Sequence, residues 1–375
     1  MTGAATRSAA VATPTLPDGL ATPCLVVELD IVAGNIDRLA SEAKERGVAL
    51  RPHIKTHKSV ALARMQLAAG AAGISVGTVG EAEVMAAGGI DDIFIAYPIW
   101  ATGARGERIG ALHRTSTLAV GIDSAEAAEA LARAVEDDAR PLTVLVEIDS
   151  GHHRTGIAGT AEVVRVAAAA RASGLRVVGV FTHGGHSYAG PDARAPAAAD
   201  EVTALGAAAD ALRDAGHPIE RISAGSTPTG SLAAAGQVTE IRPGTYLLGD
   251  RQQLMLGAVP PDGLALVVAA TVVSTAVPGQ IVVDAGAKAL TKDRASFLEG
   301  FGLLPAYPDA VVERLSDYHG VITVPAGSAT PKLGDVVAIV PNHVCPVVDL
   351  FDTFVAARAG TMVGEWPVDA RGRSG

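Results

Sequence analysis

Two patterns of hydrophobic and polar positions follow each other along this chain. From about Cys24 to Gly249, short apolar runs alternate with longer Ala-rich segments of helical periodicity. A helix is predicted from about Ile31 to Gly47, with similar segments at Ser124–Val135, Thr160–Ala172 and Ala197–Asp214. The runs that predict strands are Ala49–Ile54, Gly73–Val76, Asp92–Ile95, Leu118–Ile122, Thr143–Ile148, Val177–Phe181 and Ile219–Ala224. Strand–helix repetition of this length indicates parallel strands, and seven or eight units fit a (β/α)8 barrel better than an open sheet.

The pattern changes after about Leu254. Short strands rich in Val, Ile and Thr are separated by Gly/Pro turns, which is typical of an all-β domain. These strands are predicted at Leu264–Val277, Gln280–Asp284, Gly320–Val324, Asp335–Val340 and Thr353–Ala357. We therefore expect an α/β protein with a flexible N-terminal arm at residues 1–22, a barrel at 23–254 and an all-β C-terminal domain at 255–375.

Composition and charge narrow the possible partners. The 375-residue chain has a net charge of −10, and an acidic protein lacks the concentrated basic surface that nucleic acid or an anionic membrane requires. The first twenty residues contain no apolar segment of signal-peptide length, and the most apolar run, Leu264–Val277, is too short to span a bilayer. Two cysteines are too few for a disulfide scaffold. A cytoplasmic location without nucleic-acid or membrane partners is expected.

Histidines are concentrated in a few segments that follow predicted strands. Seven of the ten lie in residues 51–58, 151–156, 182–188 and 341–346. The first three segments follow barrel strands, and the carboxyl ends of barrel strands are where barrel active sites form. Polar residues also populate ordinary loops, but four such segments together favour a catalytic site.

Lys55 is the sharpest candidate among the six lysines, which are Lys44, Lys55, Lys58, Lys288, Lys292 and Lys332. It ends an apolar strand, and Arg51, His53, His57 and Lys58 lie within four positions. Cationic neighbours and low-dielectric walls favour the neutral amine that a Schiff-base nucleophile needs. We expect Lys58 to be a solvated residue of a basic turn and Lys288 to be structural or interfacial.

Two further segments suggest ligand binding. Ser223–Gly230 follows a strand and opens toward a helix, so Gly225, Ser226 and Thr227 could offer N–H groups and hydroxyls to a phosphate, although such turns are common. His343 and Cys345 are two positions apart in a region predicted as strand, where their side chains would point the same way and could chelate Zn²⁺. From the spacing alone, a buried cysteine beside a hydrogen-bonded histidine is the commoner case.

Together these segments resemble one family. Arg-Pro-His-x-Lys-Thr-His-Lys at 51–58, the glycine-flanked arginine at 151–156, the Gly-Ser-Thr loop and Pro-Asn-His-Val-Cys-Pro at 341–346 resemble the D-threonine aldolase/D-serine dehydratase group. Val-Asp-Ala-Gly-x-Lys and the His-Gly at 319–320 also match, and the resemblance extends from about Thr22 to Trp366. Members are pyridoxal-phosphate (PLP) enzymes with the alanine racemase-like, fold type III architecture.

The resemblance implies a role for each matching residue. Lys55 would bind the PLP cofactor as a Schiff base, with His53 beside it, and Arg154 would face the pyridine nitrogen. Tyr188 would act as a substrate-facing acid/base, and His343 with Cys345 would bind a divalent metal, Zn²⁺ in preference to Mn²⁺. The phosphate would be held by Gly225, Ser226, Thr227, Gly244 and Tyr246.

The reaction implied is the breakdown of a β-hydroxy-D-amino acid. A dehydratase would convert D-serine or D-3-hydroxyaspartate to a 2-oxo acid and ammonia, whereas a D-threonine aldolase would release glycine and an aldehyde. Aldolases of the family tend to carry His-x-Asp, with a histidine where Tyr188 stands, so Tyr188 and the His-x-Cys pair favour the dehydratase. The family architecture also implies a homodimer, with each active site at the junction of one subunit's barrel and the other's β-domain.

Three other classes remain open at this point. A racemase or decarboxylase of the same fold would need no metal at Cys345. A non-catalytic PLP-binding protein would usually be a single barrel. A metal-only barrel hydrolase would use the histidines at 53, 57, 183 and 186 and would have no PLP absorbance.

Overall fold

The computed structural model describes residue 11 and residues 14–375 of the chain, which form two compact units. The barrel unit comprises Ile36–Gly244 and Asp369–Gly375, and the β unit comprises the described residues before Ile36 together with Thr245–Val368. The first strand, β1 (Cys24–Glu28), belongs to the β unit because it pairs with two strands from the C-terminal part of the chain. The expected ranges 23–254 and 255–375 assigned this strand to the barrel, since its local pattern does not reveal its distant partners.

The barrel unit contains a sheet of eight parallel strands. In chain order they are β2 (Ala49–Leu50), β3 (Ile74–Val76), β4 (Asp92–Pro98), β5 (Thr117–Ile122), β6 (Thr143–Glu147), β7 (Arg176–Phe181), β8 (Arg221–Ala224) and β9 (Glu240–Ile241). In the sheet, β2 lies beside β9 at one edge, and β3 forms the other edge. A parallel bridge between His53 and Ser75, with the Ser75 N–H donating to the Pro52 carbonyl at 2.8 Å, connects the two edges. The predicted α/β barrel fold is confirmed.

Helices separate the barrel strands as the alternating pattern predicts. They are α1 (Leu29–Glu45), α2 (Val60–Ala68), α3 (Val79–Ala87), α4 (Ala104–Thr115), α5 (Ala125–Ala134), α6 (Thr160–Ala172), α7 (Arg194–Asp214) and α8 (Gly230–Ala233). The α5 helix begins where the Ser124 hydroxyl accepts from the Ala127 N–H, and it buries Ala128 and Leu131. Inside the barrel the Phe94 and Phe181 rings meet edge to face, with their centroids 5.1 Å apart.

The β unit is mostly antiparallel, as expected for a domain of short strands and tight turns. Its remaining strands are β10 (Leu266–Ser274), β11 (Gln280–Val283), β12 (Gly302–Leu303), β13 (Val311–Leu315), β14 (Gly320–Thr323), β15 (Val336–Pro341), β16 (Thr353–Arg358) and β17 (Thr361–Pro367). Strand β1 lies between β10 and β16, antiparallel to β10 and parallel to β16. Three short helices interrupt the strands: α9 (Arg251–Met255), α10 (Ala287–Leu290) and α11 (Val344–Val348).

The expected N-terminal arm is only partly described. Residues 1–10, 12 and 13 of the arm lie outside the described residues. Leu16 and Leu20, however, pack against the buried cluster around Val26 and Val267, because two leucines lose exposed apolar surface by contacting that core. Among the residues that the structure describes, none of the helices combines the length and apolar composition needed to cross a bilayer.

Candidate active site

Four candidate segments of the barrel unit follow strands of the same parallel sheet. Lys55 lies in a short 3-10 turn, Ile54–Thr56, shortly after β2, and Arg154 follows β6. Tyr188 follows β7, and Gly225 comes directly after β8. The carboxyl ends of parallel barrel strands lie at one face of the barrel, so the fold brings these four segments to the same face.

The turn around Lys55 presents its amine outward. Ile54 and Thr56 on either side are buried, whereas Lys55 is exposed. The Lys55 N–H donates to Nδ1 of His53 at 3.4 Å, which tethers the start of the turn. The expected low-dielectric walls do not enclose Lys55, but an accessible amine is suited to react with the carbonyl group of a cofactor.

Two of the cations near Lys55 in sequence are paired with carboxylates. The Arg51 guanidinium lies 2.7 Å from Glu240 and 2.6 Å from Asp92. Lys58, expected to be solvated, is buried, and its ammonium lies 3.1 Å from Glu81. Burying a charge requires such a partner, so these two residues support the strand ends and do not crowd Lys55 with free charge.

Neutral histidines lie close to Lys55 and Tyr188. Burial, followed by the Lys55 charge, holds the pKa of His53 well below its usual value, and the same two causes act on the pKa of His183. The His183 ring lies 5.8 Å from that of His152 and 6.4 Å from that of Tyr188. Burial lowers the pKa of His57 to about 4, and its Nε2 lies 3.2 Å from Gln66.

Arg154 is exposed in a loop anchored to a buried carboxyl group that the sequence did not single out. The Thr155 hydroxyl donates to Oε1 of Glu147 at 3.0 Å. Burial raises the pKa of Glu147 to about 7, while the Thr155 hydrogen bond and the Arg154 charge act against it. The Arg154 charge also lowers the pKa of His183, so Arg154 lies within electrostatic range of the site. The sequence feature that could have indicated Glu147 was its position, because it is a carboxyl residue at the end of a predicted barrel strand.

Arg242 is a second residue whose role emerges only in the folded chain. It is buried and donates to the Thr182 carbonyl and the Ser223 hydroxyl. Its guanidinium lies 5.8 Å and 5.4 Å from the ring centroids of Phe94 and Phe181. Arg242 thereby connects the ends of β7 and β8. Nothing in the sequence analysis indicated these partners of Arg242.

The expected phosphate-binding residues are only partly brought together. Gly225 has a φ of +76° and approaches Gly230 too closely for a side chain, while Ser226 N–H donates to the Thr229 hydroxyl at 2.9 Å. The Ser226 N–H thus already has a protein partner. Gly244 lies in the same unit, where an added methyl would be 2.6 Å from the His53 carbonyl oxygen. Thr227 is part of the loop, whereas Tyr246 is buried in the β unit.

His343 and Cys345 meet by a local geometry different from the predicted one. The strand β15 ends at Pro341, His343 is the extended residue before α11, and Cys345 lies in the first turn of that helix. The expectation that both residues alternate along a strand is therefore wrong. Their side chains still come within hydrogen-bonding distance.

Asp293 orients the imidazole of His343. Its Oδ2 lies 2.6 Å from Nδ1 of His343, which fixes the imidazole on that side. Burial lowers the pKa of His343, but Cys345 and the Asp293 hydrogen bond outweigh burial and raise it to about 10. A carboxylate behind a metal-binding histidine is a common arrangement, because it fixes the ring and increases its basicity. Nothing near Asp293 in the sequence pointed to this contact, which joins residues 50 positions apart.

The surroundings of the pair contain two more polar groups. The Thr245 hydroxyl lies 3.9 Å from the Cys345 sulfur, and buried Asp250 accepts from the Val344 N–H at 3.0 Å. Asp250 also accepts from the Gln253 N–H at 2.7 Å at the start of α9, so it connects the starts of α9 and α11. Within the described part of the chain, no three His, Cys, Asp or Glu side chains form a ready-made metal site. A metal at the His343–Cys345 pair would thus have coordination positions left for water or substrate.

The chain belongs to the alanine racemase-like family. The model of the alanine racemase N-terminal domain matches residues 27–252, and a serine dehydratase domain matches residues 265–357. This confirms the family resemblance that the motifs indicated.

Curated relatives and solved structures of both reaction types match nearly the whole chain. D-threo-3-hydroxyaspartate dehydratase from Delftia sp. is 35% identical, covering 92% of this chain and 97% of its own. D-threonine aldolase from Arthrobacter sp. is 33% identical, covering 94% of this chain and 93% of its own. The structure of D-threonine aldolase from Filomicrobium marinum has a TM-score of 0.88 at 34% identity, covering 97% of this chain and 99% of that chain. A cysteine-to-alanine variant of a D-threo-3-hydroxyaspartate dehydratase has been solved in a metal-free form, with a TM-score of 0.84 at 34% identity and coverage of 93% of this chain and 97% of that chain.

Proposed function

We propose that this protein is a PLP- and divalent-metal-dependent lyase that dehydrates β-hydroxy-D-amino acids such as D-serine or D-3-hydroxyaspartate. The products are a 2-oxo acid and ammonia, because the water lost across the Cα–Cβ bond is taken up again when the amino group is hydrolysed. The observation that carries the proposal is the contact of His343 with Cys345, oriented by Asp293, in a chain that also presents an exposed strand-end lysine.

The residues around Lys55 fit the PLP cofactor that the family leads us to expect. The Lys55 amine is exposed, and the Gly225 loop approaches Gly230 so closely that only glycine fits. When bound, the cofactor withdraws electrons from the substrate α-carbon and so acidifies the proton there. We assign cofactor binding to Lys55, His53 and Arg154, and the phosphate to Gly225, Ser226, Thr227, Gly244 and Tyr246.

Lys55 and Tyr188 are the acid/base groups of this proposal. Lys55 would take the α-proton of the substrate at its Nζ atom. Tyr188 would exchange a proton through its hydroxyl group on the substrate side. Arg154 would face the pyridine nitrogen, and because an arginine does not give up its proton, that nitrogen would stay largely unprotonated.

His343 and Cys345 are the proposed metal ligands. An imidazole and a thiolate together suit Zn²⁺, and Mn²⁺ is the second choice. A metal there would act as a Lewis acid that assists departure of the substrate hydroxyl group. The solved metal-free variant of a D-threo-3-hydroxyaspartate dehydratase, in which a cysteine is replaced by alanine, supports a metal in this class of enzyme.

Retro-aldol cleavage is the second candidate function. The identity to the Arthrobacter D-threonine aldolase is close to that of the Delftia dehydratase, at 33% and 35%. An aldolase would release glycine and an aldehyde by breaking the Cα–Cβ bond. The thiol of Cys345 favours the dehydratase, because a zinc–thiolate site suits assistance to a leaving hydroxyl group.

The deciding experiment measures both product classes from the same protein. D-serine, D-threonine and D-3-hydroxyaspartate are each incubated with the PLP-loaded protein, with zinc, with manganese and with a chelator. We expect pyruvate and ammonia from D-serine and loss of turnover on chelation. Glycine and acetaldehyde from D-threonine, with no pyruvate from D-serine, would replace the dehydratase by the aldolase.

A homodimer in the cytoplasm completes the proposal, with an amino acid as the small-molecule substrate and no nucleic-acid or membrane partner. The acidic net charge of −10 supports the absence of a nucleic-acid partner. Light scattering on the eluting protein measures the oligomeric state directly, and a mass near 38 kDa, that of one 37.8 kDa chain, would contradict the dimer.

A further inference from the structure

The segment Asp369–Gly375, which follows β17 in the sequence, belongs to the barrel unit and contacts the start of α2. Oδ2 of Asp369 accepts from the Val60 N–H, the first amide of that helix, at 2.7 Å. The Ala370 N–H donates to the Lys58 carbonyl at 2.9 Å, and the Lys58 ammonium donates to the Ala370 carbonyl at 3.3 Å. Contacts that span 309 and 312 positions of the sequence thus hold the backbone at the start of α2.

Asp369 supplies an acceptor that the local sequence does not. Ser59 is the N-cap residue of α2 and is of a type that commonly caps helices, but its side chain makes no capping hydrogen bond. It is fully buried, and among the described residues its hydroxyl group has no partner. The first amides of a helix need acceptors, and a carboxylate at that end is also favoured by the helix dipole. A residue far away in sequence therefore caps α2.

Lys58 connects these contacts to the turn that carries Lys55. Lys58 has a φ of +50°, a left-handed conformation that a residue other than glycine keeps only when its surroundings hold it. Its N–H donates to the Ile54 carbonyl at 2.8 Å, which closes the turn around Lys55. Its ammonium lies 3.1 Å from the buried carboxylate of Glu81. Lys58 is thus held by the turn, by α3 and by Ala370.

The rest of the segment is held along the start of α3. The Thr78 hydroxyl donates to the Arg373 carbonyl, and the Gly80 N–H donates to the Gly375 carbonyl at 3.1 Å. A methyl group on Gly80 would lie 2.7 Å from that carbonyl oxygen, so the close approach requires glycine. These contacts keep the segment in place independently of the hydrogen bond that Asp369 makes.

We propose that Asp369 is a positioning residue that fixes the turn presenting the Lys55 amine, because it caps α2 directly behind that turn. The proposal rests on the proposed function for the role of Lys55, whereas the contacts themselves do not depend on it. Asp369 acts through the Val60 amide and the adjoining backbone of Lys58, and it touches no reacting atom in this scheme.

The first experiment measures the turn directly in the full-length protein at saturating PLP. Amide hydrogen exchange is compared in the wild type, Asp369→Ala and Asp369→Asn. In Asp369→Ala we expect at least about 10-fold faster exchange at residues 57–62 and unchanged exchange at 149–156. Asp369→Asn keeps an oxygen acceptor and should retain most of the protection. Glu126→Ala is the matched control, because it removes a carboxylate from the first turn of α5, a helix that its own Ser124 caps.

The second experiment tests whether the turn affects Lys55. PLP affinity, followed by the visible absorbance of the lysine-bound cofactor, should fall about 10-fold in Asp369→Ala and stay within about threefold of the wild type in Asp369→Asn. Ile109→Val shortens a fully buried side chain on α4 and should lower stability about as much as the loss of a cap. It should leave PLP affinity unchanged, which separates positioning from general stability.

The possible failures are distinguishable. The inference is overturned if Asp369→Ala keeps wild-type exchange at 57–62, if exchange increases equally throughout the protein, or if the turn loosens with no change in PLP affinity. It is also overturned if Asp369→Asn loosens the turn as much as Asp369→Ala, since the amide oxygen can still accept from Val60. If the turn loosens and PLP affinity falls, but the wild type has no lyase activity on any D-amino acid, the inference stands and the proposed function fails.

Discussion

The barrel unit and the β unit assemble their polar groups in different ways. In the barrel unit, Lys55, Arg154, Tyr188 and Gly225 follow different strands of one parallel sheet, so the repeated fold itself collects them at one face. In the β unit, His343 and Cys345 lie at the start of one short helix. Their orienting partner, Asp293, comes from an irregular segment far away in sequence.

The supporting contacts of the two units differ as well. The barrel unit supports its strand ends with buried ion pairs, such as that of Arg51 with Glu240. The β unit supports the His343–Cys345 pair with single hydrogen bonds to the carboxylates of Asp293 and Asp250, and His343 and Asp293 keep 33% and 49% of their side-chain surface exposed. Substitutions in the barrel network should therefore affect both stability and activity, whereas those near His343 should affect metal affinity with little change in stability.

The largest expected effect is that of Lys55→Ala. Because Lys55 is exposed, its removal should leave the melting temperature within a few degrees of the wild type while activity falls by about 10³-fold or more. The visible absorbance of the lysine-bound cofactor should disappear. Lys44→Ala, at the end of α1, is the matched control and should retain both. Residual activity above about one-tenth in Lys55→Ala would show that another amine carries the reaction.

Arg51→Ala should have the largest effect on stability. Removing the guanidinium leaves the buried carboxylate of Glu240 without its closest charge partner, which costs about 3–5 kcal/mol in the free energy of unfolding. Urea denaturation measures this loss. Arg213→Ala removes an exposed ion pair with Asp210 and should cost less than about 1 kcal/mol. Equal costs for the two variants would contradict the distinction between the buried network and the surface.

Glu147→Gln should change how stability depends on pH. Burial raises the pKa of Glu147 to about 7 from its usual 4.5, so between these values the folded protein holds a proton that the unfolded chain has released. The contribution of Glu147 to stability is therefore complete below about pH 4.5 and is lost as the pH rises through 7. Relative to the variant, the wild type should lose about 3 kcal/mol between pH 4 and pH 8.

Unfolding by urea at several pH values provides this comparison. The difference between the two proteins cancels the titration of groups that they share, including His53 and His183. A constant difference in the free energy of unfolding across the pH range would mean that Glu147 titrates with its usual pKa, and the Arg154 loop would then lack a buried neutral carboxyl group as its anchor.

Asp293→Asn should have the smallest of these effects. Loss of the carboxylate behind His343 weakens the orientation and basicity of the imidazole, so zinc affinity should fall about 10- to 100-fold. Competition with a chromophoric chelator measures the affinity, and thermal unfolding should be nearly unchanged. Asp262→Asn, on the surface of the same unit, is the control. Wild-type zinc affinity in Asp293→Asn would argue against His343 as a metal ligand.

Much of the barrel could be predicted because its information is local. Apolar runs mark β4 to β8 to within a few residues, and helix α6 has the bounds that its periodicity indicates, Thr160–Ala172. The two-residue strand β9 is too short to leave a periodic signal. The strand β1 looks like any other apolar run, and only its register with β10 and β16, Val26 opposite Val267 and Val355, assigns it to the β unit.

The residues of the candidate site also differ in whether a short segment of sequence was enough to predict them. Lys55, Arg154, Tyr188 and the His343–Cys345 pair were recognisable from segments of fewer than ten residues. Arg242 and Asp293 were not, because their partners lie on other elements of the chain.

By itself, the sequence determined the family, the alternation that builds a barrel, and the short segments in which an amine, an imidazole and a thiol occur. The tertiary structure alone decided which carboxyl and guanidinium groups lie behind them, and that Cys345 approaches His343 from a helix and not along a strand. The physical reason is the separation in sequence over which each kind of interaction acts. Periodicity and turn chemistry act between near neighbours in sequence, whereas burial, ion pairing and loop positioning depend on groups that only folding brings together.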